Sequence, residues 1–252
     1  MHAMHNTAPI ELHNLTLGYD RHPAVHHVSL TIPPGALVAI VGPNGAGKST
    51  LIKALAGQLR PLQGYTRGLE RQRIAYLPQA ASMDRSFPIS VLDMVAMGLW
   101  HEVGAWGRFS RAQLARCEQA LVAVGLGGFE RRTLDTLSGG QFQRALFARL
   151  MLQDAPVVLL DEPFAAVDAR TTADLLALLH QWHDAGKTVV AVLHDQAQVL
   201  GHFSHTLMIA RELVAWGPTV DVFTDANWQR AQGLHEPFDD RAPVCDADEV
   251  AA

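Results

Sequence analysis

Three short stretches of this chain carry residue types whose spacing suits phosphate chemistry. GPNGAGKST, residues 42–50, satisfies G-x-x-x-x-G-K-[ST]. Gly42, Gly45 and Gly47 let a backbone wrap closely around phosphates, with Pro43, Asn44 and Ala46 filling the loop between them. Lys48 supplies a point charge for the β- and γ-phosphates of a nucleotide, the Ser49 hydroxyl is a ligand type for Mg2+, and Thr50 closes the motif. VVLLDEP, residues 157–163, is an apolar run ending in two adjacent acids. Because a strand alternates its side chains, Asp161 and Glu162 point to different places, so one can hold the magnesium shell while the other addresses a water near the γ-phosphate. The third stretch, TLDTLSGGQFQRALFARL at 133–150, sets Ser138, Gly139, Gly140 and Gln141 at the head of an apolar helical series. Ser138 with Gln141 has the S-x-x-Q spacing of a capping box, and a helix end of this kind favours an anion. No lysine and no nearby catalytic carboxylate in the same stretch says which anion that is.

The elements that must hold these residues are legible in outline. ALVAIVG, just before the glycine loop, is a continuous apolar run that suits a buried parallel strand, and a helix is predicted from Lys48 to Ala56, stopped by Gly57. PVVLLD and TVVAVLHD repeat the buried-strand pattern, each after a helical stretch, which indicates an α/β domain with a mostly parallel sheet. The first forty residues alternate apolar and polar positions and predict short strands. Residues from about 84 to 145 contain helical patterns and no buried-strand run, so a helical subdomain is inserted there. Within it, Pro88 interrupts the chain, Ser90 can cap a helix, and Val91, Met94 and Val95 share its apolar face. The last residues, 226–252, are acidic and without periodicity, which predicts a loose tail.

Composition narrows the class. A chain of 252 residues is long enough to bury roughly three quarters of its unfolded surface. Its net charge of -5 lacks the basic excess of a nucleic-acid binder, so no nucleic acid is expected as a partner. Two cysteines, Cys117 and Cys245, are too few for a disulfide framework and suit a reducing, cytoplasmic setting. No stretch reaches the ~18 uninterrupted apolar residues of a spanning helix, so work at a membrane requires a partner to hold the chain there. The histidine pairs His26-His27, His180 with His183 and His202 with His205 complete no metal-ligand set with an acid or cysteine.

Taken together, LSGGQ at 137–141, the glycine loop and the acid pair some twenty residues downstream of LSGGQ make the chain resemble the ATP-binding subunit of an ABC transporter, over residues 10 to 225. The resemblance implies a P-loop NTPase α/β fold in residues 1–225, with an antiparallel N-terminal part, a mostly parallel core sheet and the inserted helical subdomain. It implies ATP with Mg2+ as cofactors, Ser49 and Gln79 serving the metal. Tyr19 in LGYD is similar to the aromatic that stacks on adenine, and Gln79 in YLPQ to the glutamine that touches Mg2+ and the attacking water. Glu162 resembles the catalytic base, and His194 in VLHD the histidine that contacts the γ-phosphate. Asp168 in AAVD keeps the family's aspartate, although the serine or threonine and the leucine usual in that loop are replaced.

The same resemblance answers the question left by LSGGQ: two ATPase subunits pair head to tail, and Ser138–Gln141 of one cap the nucleotide on the loop of the other. It also implies an integral membrane permease as partner, a periplasmic or surface solute-binding protein acting through it, and a peripheral place on the cytoplasmic face of the cell membrane. YLPQAASMDRSFPISVLDMVAMGLW, following Gln79, resembles the zinc and manganese uptake class. Importers of haem, siderophores or other small solutes are the alternative. Non-transport ABC ATPases fit less well, since the chain has no coiled-coil insert, second ATPase half or strongly basic extension.

Overall fold

Alternating apolar residues near the start of the chain form two antiparallel strands, β1 (Ile10–Tyr19) and β2 (His22–Ile32). Register shifts along β1 between Leu12 and Gly18, together with left-handed backbone at Asn14 and His27, let the pair twist without ending. The structure is a computed structural model and describes residues 8–19, 22–70, 72–80, 83–104, 107–165 and 167–234. Among the described residues, those between 8 and 70 and between 190 and 234 form one compact unit, and those between 72 and 189 the other.

In the first of these units the run before the glycine loop is β3 (Leu37–Val41), buried at every residue as a parallel strand requires. Helix α1 (Lys48–Leu55) follows the loop, and Gly57 takes the left-handed conformation just past its C-cap, Ala56. β4 (Gln63–Arg67) pairs antiparallel with β1 on the side opposite β2.

In the second unit β5 (Ile74–Leu77) pairs parallel with β6 (Val157–Asp161). Between them lie the helices α2 (Val91–Ala96), α3 (Trp100–Val103), α4 (Arg111–Ala123) and α5 (Gly139–Gln153). The caps read from sequence at Ser90 and Ser138 are in place, since Ser90 accepts from the Asp93 amide and Ser138 completes a capping box; the structure adds a second capping box at Ser110. Helix α6 (Ala169–Asp184) packs its apolar face here, with Trp182 stacked on Phe147 of α5 at 5.8 Å between ring centroids. The division between the units runs through β7 (Thr188–Val192).

The chain then returns to the first unit with α7 (Gln196–His202), β8 (His205–Ala210), β9 (Glu212–Pro218), α8 (Thr219–Val222) and α9 (Asp225–Gly233). β8 lies parallel to β3 and antiparallel to β9. Helix α9 corrects the expectation of a loose tail from residue 226. Thr224 caps it by accepting from the Asn227 amide, Ala231 is fully buried, and Trp228 meets Phe223 edge-on. That anchoring comes from tertiary packing, which periodicity in a nine-residue segment does not reveal. The remainder of the predicted tail, residues 235–252, lies outside the described residues. Among the described residues no helix is long and apolar enough to cross a membrane.

Candidate functional site

The glycine loop is shaped by close approach. Gly42 has φ of 149°, and a Cβ placed on it would lie 1.9 Å from the Ile209 carbonyl oxygen of β8. Gly47, at φ of 88°, would bring a Cβ within 2.4 Å of the Val25 side chain and 2.7 Å of the Ala24 carbonyl. Only glycine fits either place. The Ala46 carbonyl is held by the Arg211 amide at 3.1 Å, and the Arg211 carbonyl in turn accepts from the His26 amide at 2.7 Å. Arg211, left-handed at φ of 64° in the turn between β8 and β9, thus braces the loop from behind through its backbone. No sequence motif marks it, because the link joins segments 165 residues apart in the chain (211 − 46).

Lys48 is buried and spans the loop, donating from Nζ to the Gly42 carbonyl at 2.9 Å and the Pro43 carbonyl at 2.8 Å. Helix α1 starts at Lys48 with a left-handed Gly47 as N-cap, no side-chain cap and no acid in its first turn. Its N-terminal dipole is therefore unopposed by any neighbouring carboxylate of the helix, which fits an anionic phosphate group. Asn44 and Gly45 are exposed at the crest of the loop, Pro43 and Ser49 half-buried, and Thr50 buried. Leu193, just after β7, donates its amide to the Ile40 carbonyl of β3 at 3.1 Å. This places the exposed His194 at the end of β3 from which the loop departs. Tyr19 ends β1 and is half-exposed.

In the other unit, β6 ends on the buried Asp161, and the next residue, Glu162, turns left-handed at φ of 51°. A non-glycine residue in this region is strained, and such strain gathers at functional sites. The turn carries Glu162 out of the strand and into contact with Gln79, whose amide nitrogen donates to its carboxylate at 2.8 Å. The two residues lie 83 positions apart, and the fold joins them. Gln143 holds the following turn, donating from its buried side chain to the Pro163 carbonyl at 2.6 Å. No motif marks Gln143 in the sequence; its one signal is a polar residue placed beside Phe142 within the apolar series of α5.

Ser138 caps α5: its hydroxyl accepts from the Gln141 amide at 3.2 Å, and the Gln141 side-chain oxygen accepts from the Ser138 amide at 3.0 Å. Gly139 and Gly140 are the first helical residues, and Ser138 and Gly139 are exposed. A Cβ on Gly140 would lie 3.5 Å from a carboxylate oxygen of Asp168, so the fold brings these two predicted residues together. Asp168 itself caps α6, accepting from the Thr171 amide at 2.9 Å and the Thr171 hydroxyl at 2.8 Å. Those two donors hold its carboxyl below the ordinary carboxylate value, so it is ionised at neutral pH.

A glycine loop opening a helix after a buried parallel strand, with a second strand ending in an acid pair, defines a P-loop nucleotide-binding protein. The family model for ABC transporters matches residues 25–165. The chain is 40% identical over 231 residues to the manganese transport system ATP-binding protein MntB of Bacillus subtilis, covering 89% of this chain and 92% of that one. It is equally 40% identical over 230 residues to the zinc transport system ATP-binding protein TroB of Treponema pallidum, covering 89% and 86%. Among solved structures, a dimeric post-hydrolysis state of an ATP-binding cassette bound to ADP and phosphate is similar with a TM-score of 0.74 and 26% identity, covering 83% of this chain and 98% of that one. The chain belongs to the ABC transporter family, as one of its ATP-binding subunits.

Proposed function

We propose that this subunit hydrolyses ATP to power uptake of zinc or manganese through a membrane permease that holds it at the cytoplasmic face of the membrane. The observation that carries the metal-ion reading is 40% identity, over 89% of the chain, to both a manganese and a zinc transport subunit. In this reading Gly42–Thr50 cradle the phosphates and Lys48 fixes their charge. Tyr19 meets the adenine. Ser49, Gln79 and Asp161 each carry an oxygen donor of the kind Mg2+ takes and would hold the ion, which would neutralise phosphate charge.

Glu162 is the general base. Its carboxylate is oriented by Gln79, and the Gln143 clamp on Pro163 steadies the turn that presents it. His194 reaches the γ-phosphate. Ser138–Gln141 close on the nucleotide of a second copy paired head to tail, with Asp168 beside them. A solute-binding protein delivers metal to the permease, and the transported ion does not touch this chain.

Glu162→Gln tests this reading. It should retain ATP binding while ATPase turnover falls by roughly 100- to 10,000-fold, the range of a lost general base. Cells expressing only this variant should fail to accumulate one of the two metals from limiting medium. Accumulation equal to wild type for both zinc and manganese would contradict the metal-import reading, and a near-normal ATPase rate would remove Glu162 from its role.

A further inference from the structure

The segment that follows Gln79 is stitched to the segment that leads into Ser138. Leu92 donates its amide to the Glu130 carbonyl at 3.0 Å, Val91 to the Arg132 carbonyl at 2.8 Å, and Ser90 forms an isolated antiparallel bridge with Thr133. Arg85 extends the seam. Its guanidinium donates to the carbonyls of Leu134 and Leu137, and its central carbon lies 4.8 Å from the centroid of the Phe142 ring. Residues 85–92 therefore run antiparallel to 130–137, up to the last residue before the α5 cap.

The Leu137 carbonyl shares one rigid peptide plane with the Ser138 amide. Gln141 holds the amide end of that plane and Arg85 holds the carbonyl end. The capping box fixes the helix from Ser138 onward but leaves open the direction from which the chain enters it. Arg85 supplies that missing constraint, and so aims the Ser138 hydroxyl and the glycines behind it. A lysine could reach the carbonyls, as a three-donor ammonium, but has no planar group to lie flat on the Phe142 ring while it does so.

Stability alone is a poor reason for this residue. Its Nε is buried without a hydrogen-bond partner, and among the described residues no carboxylate pairs with it. A partly buried cation with an unsatisfied donor is a cost to the fold that calls for another explanation.

We propose that Arg85 is a positioning residue for the signature turn: by fixing the Leu137–Ser138 peptide plane it orients Ser138–Gln141 toward the nucleotide bound by a second copy of the chain. The inference rests on the head-to-tail reading of the signature. It adds a residue outside the P-loop, acid pair and signature on which dimer closure depends.

The test uses the full chain with Glu162→Gln, ATP as the probe, sedimentation to measure ATP-dependent dimerisation, and calorimetry below the dimerisation concentration to measure ATP affinity. Adding Arg85→Ala should weaken the ATP-bound dimer by about tenfold or more, the scale of a charge-assisted hydrogen bond, and leave monomer affinity for ATP within about twofold. Adding Arg85→Lys should recover only part of the loss. Ser138→Arg in the same background separates the two readings. Normal dimerisation with Arg85→Ala, beside a Ser138→Arg variant that fails to dimerise, overturns the Arg85 proposal alone. A Ser138→Arg variant that dimerises like its parent defeats the head-to-tail reading and the proposal with it. Full rescue by Arg85→Lys, or a parallel drop in ATP affinity and melting temperature with Arg85→Ala, would give Arg85 a merely structural role and also overturn the proposal.

Discussion

Two helices of this chain begin with glycine-bearing N-termini, and they are built in opposite ways. Helix α1 has a left-handed Gly47 as its N-cap, no side-chain cap, and a loop whose glycines are pressed against Ile209, Ala24 and Val25. Helix α5 has a complete capping box from Ser138 and Gln141, its glycines have no positive φ, and a Cβ on Gly140 would meet only van der Waals neighbours. The first terminus is shaped by the fold to receive an anion. The second satisfies itself and presents an exposed face. In physical terms, the start of α1 is left open to an anion while α5 caps itself, and under the proposed function the first takes phosphate and the second closes on the nucleotide of another copy.

This contrast is sharpest in the glycines. Gly42→Ala places a methyl group 1.9 Å from a carbonyl oxygen at a φ of 149°, and should destabilise the protein by about 3 kcal/mol or more. Thermal unfolding checks it, and an unchanged melting temperature would break the claim of close approach. Lys48→Ala removes the buried charge that ties Gly42 to Pro43, and should lower ATP affinity on the order of 10- to 100-fold by calorimetry.

Gly140→Ala goes the other way. Its methyl group meets nothing nearer than 3.5 Å, and alanine favours the helix by up to about 1 kcal/mol, so the monomer should melt slightly higher. ATPase activity should nonetheless fall, because the backbone surface offered to the second copy is covered. Loss of stability together with activity would erase the distinction between the two termini.

The smallest effect concerns the brace behind the P-loop. Burial, followed by the charge of Arg211, lowers the pKa of His26 below its ordinary 6.5. The unfolded chain takes up a proton there first as pH falls. The contribution of His26 to stability is therefore fully present above pH 6.5 and is lost as pH drops through the lower folded value. Denaturant midpoints at pH 7.5 and 5.5 should show a modest decline at the lower pH that His26→Phe reduces.

Local features of this contrast are legible in sequence, and long-range ones are not. The P-loop motif, the buried strand before it and the Ser90 and Ser138 caps each depend on residues within a few positions of one another. The contact between Gln79 and Glu162, the Gln143 clamp on Pro163 and the Arg211 brace depend on tertiary folding, which spacing does not encode. Family resemblance, and not spacing, points to Gln79 and to Asp168, and only the structure shows Asp168 capping α6. No motif marks strands β8 and β9 in the sequence, although Ile209 of β8 supplies the wall against which Gly42 packs.

The central claim, that α5 completes a nucleotide site belonging to another copy, is tested most directly by mixing two inactive chains. One carries Lys48→Ala and the other Ser138→Arg, both in a Glu162→Gln background, and nucleotide occluded in the dimer is counted. Head-to-tail pairing collects both lesions in one site and leaves the other intact, so the mixture should occlude ATP that neither variant retains alone. If each signature served the P-loop of its own chain, both sites of the mixed dimer would be damaged. Absence of occluded ATP in the mixture would then contradict the account.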